Sequence, residues 1–258
     1  MRHEPGTFEN TGVSAEKILA AIPCHNEAQF VANIVTQCRE HVGAVIVVDD
    51  GSTDGTSQVA EAAGATVVRH DGNKGPGAAY RSCFQAARCT EADILITLDG
   101  DGQHDPEELP RILEPLLAKG ADLVIGSRFL GDYQIARYRK FGIDVITWLY
   151  NLGSPVKVVD SQSCYRGYSQ RALDTLQITE SGFGFSVELL VQAREHGLVI
   201  REVPISCIYH SASHSINPVV HGVGVALMVV KHRLKSFCRK LARGSESDHS
   251  GPVPSERA

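Results

Sequence analysis

The sequence predicts an α/β fold with one mostly parallel central sheet, and three observations lead to that prediction. Short apolar runs alternate with longer segments of helical periodicity through the first half of the chain. The length of 258 residues suits one domain better than two. Hydrophobic residues make up 43% and charged residues 21%, a balance that excludes a mainly disordered chain and a collagen-like repeat.

The elements of the first half follow one another regularly. Five short runs bounded by turn residues are predicted as buried strands: Ile18–Ile22, Ala44–Val48, Thr66–Val68, Ile94–Leu98 and Leu123–Ile125. Five segments are predicted as helices: Ala28–Glu40, Gly55–Ala63, Gly77–Ala87, Pro106–Lys119 and Arg137–Leu152. This β-α-β-α order implies a parallel sheet with helices on both of its faces.

The second half is less regular. The predicted elements are strands at Val158–Asp160, Ser163–Tyr168 and Val199–Ile205, and helices at Gln170–Leu176 and Ser186–His196. A long helix is predicted from Pro218 to about Arg243, over residues 218–243. The polar tails, residues 1–16 and 244–258, are predicted to be disordered, which leaves one domain over residues 17–243.

The net charge, the cysteine spacing and the hydropathy restrict which partners the protein is expected to bind and where it is expected to be located. The formal net charge of −5 speaks against nucleic-acid binding. The seven cysteines show no C-x-x-C spacing, which speaks against a zinc site or a disulfide framework. Residues 1–14 contain no apolar signal-peptide region, and Val219–Val230 is shorter than the ~20 residues of a membrane span. We therefore expect a cytoplasmic protein.

Polar motifs follow the first two predicted strands. The first strand leads into Pro23-Cys24-His25-Asn26-Glu27, and the second leads into Asp49-Asp50-Gly51-Ser52. A turn or helix cap accounts for one aspartate after a buried strand, but not for two in succession. The second carboxylate could accept hydrogen bonds from a nucleobase imide or a ribose hydroxyl. Ligands of open α/β sheets bind at this end of the strands.

The third strand is followed by Asn73-Lys74-Gly75-Pro76-Gly77. Small residues here would let the loop and the helix start approach a ligand closely, and Lys74 could contact a phosphate. An ordinary helix start explains the segment equally well. The spacing is not that of a P-loop, and the first strand lacks the G-x-G-x-x-G of a dinucleotide fold.

The fourth strand leads into the sharpest motif, Asp99-Gly100-Asp101-Gly102-Gln103. In an extended segment the alternating side chains of Asp99, Asp101 and Gln103 would point to one side. Oxygen ligands of this kind suit Mg²⁺ or Mn²⁺, which proteins often hold with one or two carboxylates and substrate phosphates. A solvated Asp/Gly loop is the alternative, and the buried strand before the loop favours the metal site.

In this order the motifs resemble glycosyltransferase family 2, in its dolichol-phosphate mannose synthase-like branch of polyprenyl-phosphate glycosyltransferases. Those motifs are Pro23-x-x-Asn26-Glu27, Asp49-Asp50-Gly51-Ser52-x-Asp54, Asn73-x-Gly75, Asp99-x-Asp101-x-Gln103 and Gly126-Ser127-Arg128. The resemblance covers about residues 18–236. It implies a GT-A fold in a single Rossmann-like domain, a GDP- or UDP-hexose donor, Mg²⁺ or Mn²⁺, and inversion at the anomeric carbon.

The resemblance also implies roles for individual residues. Asp50 would contact the base and ribose, and Asp99, Asp101 and Gln103 would hold the metal and the diphosphate. The full set of expected donor-binding residues is Pro23, His25, Asn26, Glu27, Asp50, Ser52, Asn73, Lys74, Gly75, Asp99 and Gly100.

The acceptor side is expected to involve arginines. Arg128 and Arg166 lie within motifs that match the family, and arginine binds phosphate with two parallel hydrogen bonds. A lipid phosphate is already anionic and needs no general base, whereas a sugar hydroxyl would need one. Glu188 is the first candidate for that base and Asp160 the second; an ordinary helix carboxylate explains Glu188 equally well. The expected catalytic residues are Asp101, Arg128, Arg166 and Glu188.

The predicted C-terminal helix is amphipathic. Leu227, Val230, Leu234, Phe237 and Leu241 share one face, and Lys231, Lys235, Arg239 and Arg243 share another. It could dock on the core, or it could hold the protein on the cytoplasmic face of an anionic membrane beside a lipid-phosphate acceptor. A family 2 enzyme with a soluble or saccharide hydroxyl acceptor, and an inactive nucleotide-sugar binding module, remain the alternatives.

Overall fold

A computed structural model describes residues 14–131, 137–154 and 156–208. Its seven strands are β1 Ile18–Cys24, β2 Ala44–Asp49, β3 Thr66–Arg69, β4 Ile94–Thr97, β5 Leu123–Ser127, β6 Arg166–Ser169 and β7 Ile200–Pro204. Its α-helices are α1 Val31–Cys38, α2 Thr56–Ala62, α3 Pro76–Cys89, α4 Leu109–Leu117, α5 Arg137–Asn151, α6 Gln170–Thr175 and α7 Phe185–Glu195. Two 3₁₀ helices lie at Ala15–Lys17 and Pro106–Glu108.

The strands form one sheet in the order β3-β2-β1-β4-β6-β5-β7. The pairs β1–β2, β1–β4 and β2–β3 are parallel, as the alternating element order predicts. The pair β5–β7 is parallel as well. Along β1, Leu19 and Ala21 face one hydrophobic core while Ala20 and Ile22 face the other. Helices α3, α5, α6 and α7 cover the first face, and α1, α2 and α4 cover the second. Both faces of the central strands are therefore buried, which explains their nearly continuous apolar sequences.

Strand β6 departs from the parallel pattern. It lies antiparallel between β4 and β5, and it occupies only the end of the predicted strand Ser163–Tyr168. The predicted strand Val158–Asp160 is wrong. The backbone N–H groups of Val159 and Asp160 donate to the carboxylate of Glu202 at 2.7 and 2.9 Å, so a side chain replaces the partner strand.

Several predicted helices begin later or end earlier than expected. Helix α1 starts at Val31 instead of Ala28, because the N–H of Ala28 donates to Asp54 (3.0 Å) and the chain turns before the helix begins. The predicted helix Pro106–Lys119 divides into a 3₁₀ turn and α4. Asp105 caps that turn by accepting the N–H of Glu107 at 3.0 Å.

The termini are described only in part. The predicted N-terminal tail is already structured at Ala15–Lys17, where a 3₁₀ helix leads into β1. The predicted helix over residues 218–243 and the C-terminal tail lie outside the described residues. Within the described ranges, no helix combines the length and the apolar character needed to cross a membrane.

Candidate active site

The polar motifs meet at the carboxyl edge of the parallel strands, as the sequence predicts. The N–H of Asp50, just after β2, donates to the carbonyl of Cys24 at the end of β1 (2.8 Å). The N–H of Gly100, after β4, donates to the carbonyl of Pro23 (3.3 Å). A Cβ at Gly100 would collide with Cys24, so glycine permits this close approach.

Two aspartates at the end of β2 have different surroundings. Asp49 is fully buried and accepts hydrogen bonds from the N–H of Ser52 (2.8 Å) and the hydroxyl of Ser57, while Arg69 lies 3.4 Å away. Burial raises the pKa of Asp49, but these hydrogen bonds and Arg69 outweigh it and lower the pKa. Asp49 is therefore the turn residue of the pair.

Asp50 instead orders the loop that precedes α3. Its carboxylate accepts the backbone N–H groups of Lys74 and Gly75, both at 2.9 Å. It also lies 2.7 Å from Nδ1 of His70, whose Nε2 lies 2.8 Å from the Ser82 hydroxyl. His70 was not among the expected site residues, although it lies directly after β3, where the other site residues follow their strands. The predicted base and ribose contact of Asp50 stays a prediction.

Side chains expected to bind the donor link the loop after β1 to the loop after β2. Asn26 has a φ of 60°, a left-handed conformation that asparagine tolerates better than most residues. Its N–H donates to the Ser52 hydroxyl (2.9 Å), and its Oδ1 accepts the N–H of Thr53 (2.8 Å). Nδ1 of His25 donates to the carbonyl of Asp50 (2.9 Å). In this structure these side chains fix the loop geometry.

The start of α3 contacts the chain itself. The N–H of Gly77 donates to the carbonyl of Ser181 (2.9 Å), and a Cβ at Gly75 would lie 2.8 Å from the same oxygen. The close approach predicted for a ligand at these glycines is thus made by the loop before α7. Lys74 and Asn73 are exposed beside it.

Three carboxyl groups around the end of β4 repel one another. Burial and the neighbouring Asp101 raise the pKa of Asp99 to about 7, although Tyr80 donates its hydroxyl to Asp99 at 2.8 Å. Burial, followed by Asp101 and Asp99, raises the pKa of Glu27 to about 7. A divalent cation would relieve this repulsion, so the residues present fit Mg²⁺ or Mn²⁺.

The protein side of that site is incomplete by itself. No group of three or more His, Cys, Asp or Glu side chains within the described ranges could hold a metal ion. Mg²⁺ sites that bind phosphates typically combine two aspartates of the protein with oxygens of the substrate.

Gln103 lies close to Asp101 for a different reason from the one expected. The segment is not extended, because it turns at Gly102, which has a φ of 73°. The N–H of Gln103 donates to Oδ1 of Asp101 (3.0 Å), and its Nε2 donates to Oδ2 (2.5 Å). The predicted extended segment is therefore wrong, although the turn brings the side chains of Asp101 and Gln103 together. As placed, Gln103 directs its amide nitrogen at Asp101, and its metal role stays a prediction.

On the acceptor side, Arg128 is paired with Asp160. Its Nε and Nη2 donate to the two carboxylate oxygens, both at 2.8 Å, and its backbone N–H donates to Oδ2 at 3.2 Å. Asp160 is fully buried, which raises its pKa, but Arg128 outweighs burial and lowers the pKa. Burial and Arg128 also lower the pKa of the nearby His104 to about 3, so this imidazole is neutral.

Arg166 is buried within the core beside the site. Its guanidinium donates to the carbonyls of Ser161, Ser163 and Ser186 at 2.8–2.9 Å, and to the Ser186 hydroxyl at 2.7 Å. Its exposed fraction is 1%. Arg166 therefore joins the loop at Ser161 and Ser163 to the first turn of α7 in this structure, and its predicted contact with a phosphate remains a prediction.

Glu188 is likewise enclosed, with an exposed fraction of 1%. Its carboxylate accepts the N–H groups of Thr179 (3.0 Å) and Glu180 (3.1 Å) and the Thr179 hydroxyl. These contacts fix the loop that covers the start of α3. They favour the structural interpretation of Glu188 over the general-base interpretation.

The family model described as Glycosyl transferase family 2 matches residues 20–177. The chain belongs to glycosyl transferase family 2. The matched range contains every residue expected at the donor and metal sites, and also Arg128, Asp160 and Arg166. Only Glu188, among the expected site residues, lies beyond it.

Two relatives of this glycosyltransferase match most of its length. The UDP-N-acetylglucosamine–dolichyl-phosphate N-acetylglucosaminyltransferase of Methanococcus voltae is 30% identical over 222 residues, covering 76% of this chain and 87% of that protein. The undecaprenyl-phosphate mannosyltransferase of Micrococcus luteus is 32% identical over 216 residues, covering 77% and 86% respectively.

A solved structure supports the fold of the glycosyltransferase. Glucosyl-3-phosphoglycerate synthase from Mycobacterium tuberculosis, in complex with Mn²⁺, uridine diphosphate and phosphoglyceric acid, superimposes with a TM-score of 0.69 at 22% identity. The superposition covers 89% of this chain and 84% of that chain. The expected GT-A fold is thereby confirmed.

Proposed function

We propose that the protein transfers a hexose from a UDP- or GDP-sugar to a polyprenyl phosphate, with Mg²⁺ or Mn²⁺ bound and with inversion at the anomeric carbon. The observation that carries the proposal is the pair of mutually repelling carboxylates Asp99 and Asp101 at the end of β4. The two relatives are named for transfer to dolichyl phosphate and undecaprenyl phosphate, which supports this acceptor class.

Asp99 and Asp101 would hold the metal ion, together with oxygens of the donor diphosphate. When bound, the ion would neutralise the charge that develops on the departing diphosphate. Tyr80 fixes Asp99 through its hydroxyl, and Gln103 fixes Asp101 through two hydrogen bonds. Both carboxylates are therefore oriented before the donor arrives, which limits reorganisation during the reaction.

The donor's base and ribose would lie beside Asp50. Asp50 holds the N–H groups of Lys74 and Gly75, so the loop bearing Asn73 and Lys74 is fixed at the same edge as the metal site. The loop after β1 is connected to this edge by His25, Asn26 and Ser52. These residues would orient the nucleotide and exclude water from it.

The surroundings of the two candidate general bases, Asp160 and Glu188, favour a phosphate acceptor over a hydroxyl acceptor. Arg128 binds Asp160 and lowers its pKa, which makes the carboxylate a poor proton acceptor. Glu188 is enclosed by Thr179 and Glu180. An anionic phosphate oxygen needs neither residue. It would form the new bond to the anomeric carbon while the bond from that carbon to the diphosphate breaks, with both oxygens in line.

The membrane part of the proposal rests on sequence. The basic face formed by Lys231, Lys235, Arg239 and Arg243 would hold the enzyme on the cytoplasmic face of an anionic membrane. The lipid acceptor would then be supplied from the same surface.

A donor screen tests the proposal. Purified protein is incubated with Mn²⁺, a polyprenyl phosphate and labelled UDP- or GDP-hexoses, and the label is counted in the organic phase. We expect organic-phase label with one donor class, and none when the corresponding polyprenol replaces its phosphate. Transfer to a saccharide hydroxyl without lipid label would overturn the proposed acceptor, and donor binding without any turnover would support the inactive binding module.

A further inference from the structure

We propose that His70 fixes the Asp50 carboxylate so that one hydrogen-bond position remains for the nucleobase, and that this position selects uracil. The preferred donor is then a UDP-sugar. The inference deepens the proposed function, on which it rests, because it decides between the two nucleotides named there and gives His70 the role of a positioning residue.

The fold holds His70 beside Asp50. His70 follows β3 directly, and its backbone N–H donates to the carbonyl of Asp49 at the end of β2 (2.9 Å). Only 9% of His70 is exposed. Its Nδ1 lies 2.7 Å from Oδ1 of Asp50, and its Nε2 lies 2.8 Å from the hydroxyl of Ser82 on α3. The ring is therefore held at both of its nitrogens.

The partners of the imidazole determine which of its nitrogens donates to Asp50. An ionised carboxylate only accepts hydrogen bonds, so Nδ1 of His70 is the donor in this contact. The Ser82 hydroxyl can donate to Nε2 or accept from it, and Nδ1 carries a proton in both cases. His70 therefore donates to Asp50 whether its ring is neutral or charged.

The Asp50 carboxylate has one acceptor position left. The two oxygens of a carboxylate offer about four lone-pair positions. Oδ1 accepts from His70 and from the N–H of Lys74, and Oδ2 accepts from the N–H of Gly75. No fourth donor from the described part of the chain contacts this carboxylate, so one position on Oδ2 is available to a ligand. The side chain is only 6% exposed, which suits one contact better than two.

The number of donors on the edge of the base distinguishes the nucleotides. Uracil presents a single imide N–H between two carbonyl oxygens, which suits one acceptor position. Guanine presents a ring N–H and an amino group side by side, and a carboxylate satisfies both only with its two oxygens. Because Oδ1 of Asp50 is already occupied, one guanine donor would lose its partner on binding. A buried donor without a partner weakens binding, so the site discriminates against guanine.

The orientation of the Asp50 carboxylate is set before the donor binds. A Cβ at Gly51 would collide with the backbone of Gly72, so the loops after β2 and β3 are in direct contact. From the second of these loops, His70 and two backbone N–H groups hold both carboxylate oxygens and prevent the carboxylate from turning. The free position on Oδ2 therefore has a fixed direction, which limits reorganisation when a base binds.

Four nucleoside diphosphates test the choice of base without turnover. Full-length protein with saturating Mn²⁺ is titrated calorimetrically with UDP, CDP, GDP and IDP, which share the ribose and the diphosphate. CDP has a ring acceptor where UDP has its imide N–H, and IDP is GDP without the amino group. We expect UDP to bind at least roughly tenfold more tightly than CDP or GDP, and IDP to bind more tightly than GDP.

Two variants of His70 test its positioning role. His70→Ala removes the donor to Oδ1 of Asp50, whereas His70→Asn keeps a donor because the asparagine Nδ2 can take the place of Nδ1. The control, His196→Ala, removes an exposed histidine at the end of α7. We expect His70→Ala to lose most of the preference for UDP over GDP, and His70→Asn and the control to retain it. A general loss of structure would instead weaken both nucleotides alike and leave their ratio unchanged.

Three results would overturn the inference. The first is CDP binding as tightly as UDP, which would show that Asp50 does not accept the imide N–H. The second is GDP binding as tightly as UDP or IDP, which would show that the occupied Oδ1 does not exclude a second donor. The third is an unchanged ratio of UDP to GDP affinity in a folded His70→Ala variant, which would make His70 a residue of the fold alone.

The outcome is separable from the proposed function. Nucleotide binding is measured without an acceptor, and transfer is measured separately as label in the organic phase. Transfer from a GDP-hexose to the polyprenyl phosphate would overturn this inference and support the proposed reaction. Selective binding of UDP without transfer from any donor would support this inference and contradict the proposed reaction.

Discussion

Arg128 and Asp160 form a buried ion pair through two parallel hydrogen bonds of 2.8 Å, with Asp160 fully enclosed. The pair connects the end of β5 to the segment at Val159 and Asp160, whose N–H groups donate to Glu202 on β7. Arg128 was expected to contact an acceptor phosphate, so the pair would have to share its guanidinium with that phosphate or exchange partners when the acceptor binds.

Replacement of Arg128 by alanine should destabilise the fold. The buried charge of Asp160 would lose its partner, at a cost of about 3–5 kcal/mol. Arg171→Ala, which breaks the surface pair with Asp122, is the control and should cost less than about 1 kcal/mol. Urea unfolding measures the loss of stability in both variants. Equal losses would show that the buried pair contributes no more to stability than the surface pair.

The cost of Arg128→Ala should also depend on pH. Because Arg128 lowers the pKa of Asp160 in the folded protein, its contribution is complete above the ordinary aspartate pKa of about 3.9 and is lost as the pH falls through the lowered value. The stability difference between wild type and variant should therefore be largest near neutral pH and shrink in acid. A difference that stays constant between neutral and acidic pH would contradict the assignment.

Asp101→Asn should abolish transfer and leave the fold intact, because it removes a charge from the metal site with almost no change in volume. With the accepted nucleoside diphosphate present to complete the site, Mn²⁺ should raise the Tm of wild type by roughly 2–4 °C for each kcal/mol of binding, and should not raise that of the variant. Asp93→Asn, at the opposite end of β4, is the control and should keep both responses. Full activity in excess EDTA would rule out the metal.

Glu188→Gln distinguishes the structural role from the base role. The glutamine oxygen can still accept an N–H of the loop at Thr179 and Glu180, so transfer should fall less than about tenfold. Loss of a general base would instead cost roughly 100- to 10,000-fold. Glu188→Ala should lower stability, because the N–H groups of Thr179 and Glu180 lose their acceptor; the cost should be below the ~1–3 kcal/mol of a fully buried group, since neither residue is fully buried. A folded, inactive Glu188→Gln variant would restore the base interpretation.

Salt-sensitive attachment is the prediction for the C-terminal segment, which lies outside the described residues. Replacement of Lys231, Lys235, Arg239 and Arg243 by glutamine should release the protein from anionic vesicles. Wild-type binding should weaken in high salt, as the Debye length falls from about 8 Å to about 3 Å at 1 M. Sedimentation at both salt concentrations measures this, and transfer to a detergent-solubilised lipid phosphate should persist. Unchanged binding of the variant would show that these four residues do not attach the protein to the membrane.

The sequence predicts the parallel part of the sheet well because its signals are local. Alternating short apolar runs and helices identify β1 to β5 nearly to the residue, and the polar motifs mark the edge where the strands end. Strand β6 was harder, because its antiparallel direction depends on pairing with both β4 and β5, far away in sequence. The segment at Val159 and Asp160 resembled a strand because its N–H groups do have partners, but those partners belong to the Glu202 side chain.

In the candidate site, too, contacts between residues far apart in sequence could not be predicted. Residue types and order were enough to bring Asp50, Asp99 and Asp101 to one edge. The partners of the site's side chains were not predictable, because they meet only through tertiary packing. His70 contacts Asp50, Tyr80 contacts Asp99, and Asp160 pairs with Arg128. The turn at Gly102 likewise replaced the extended segment that the alternating pattern suggested.

The chemical structure of the transfer product tests the proposed reaction directly. After incubation with the accepted nucleotide sugar and polyprenyl phosphate, the organic phase is analysed by mass spectrometry and NMR. We expect one hexose joined to the lipid through a single phosphate, with an anomeric configuration opposite to that of the donor. A lipid product that retains the donor configuration, or a sugar joined to a hydroxyl instead of the phosphate, would contradict it.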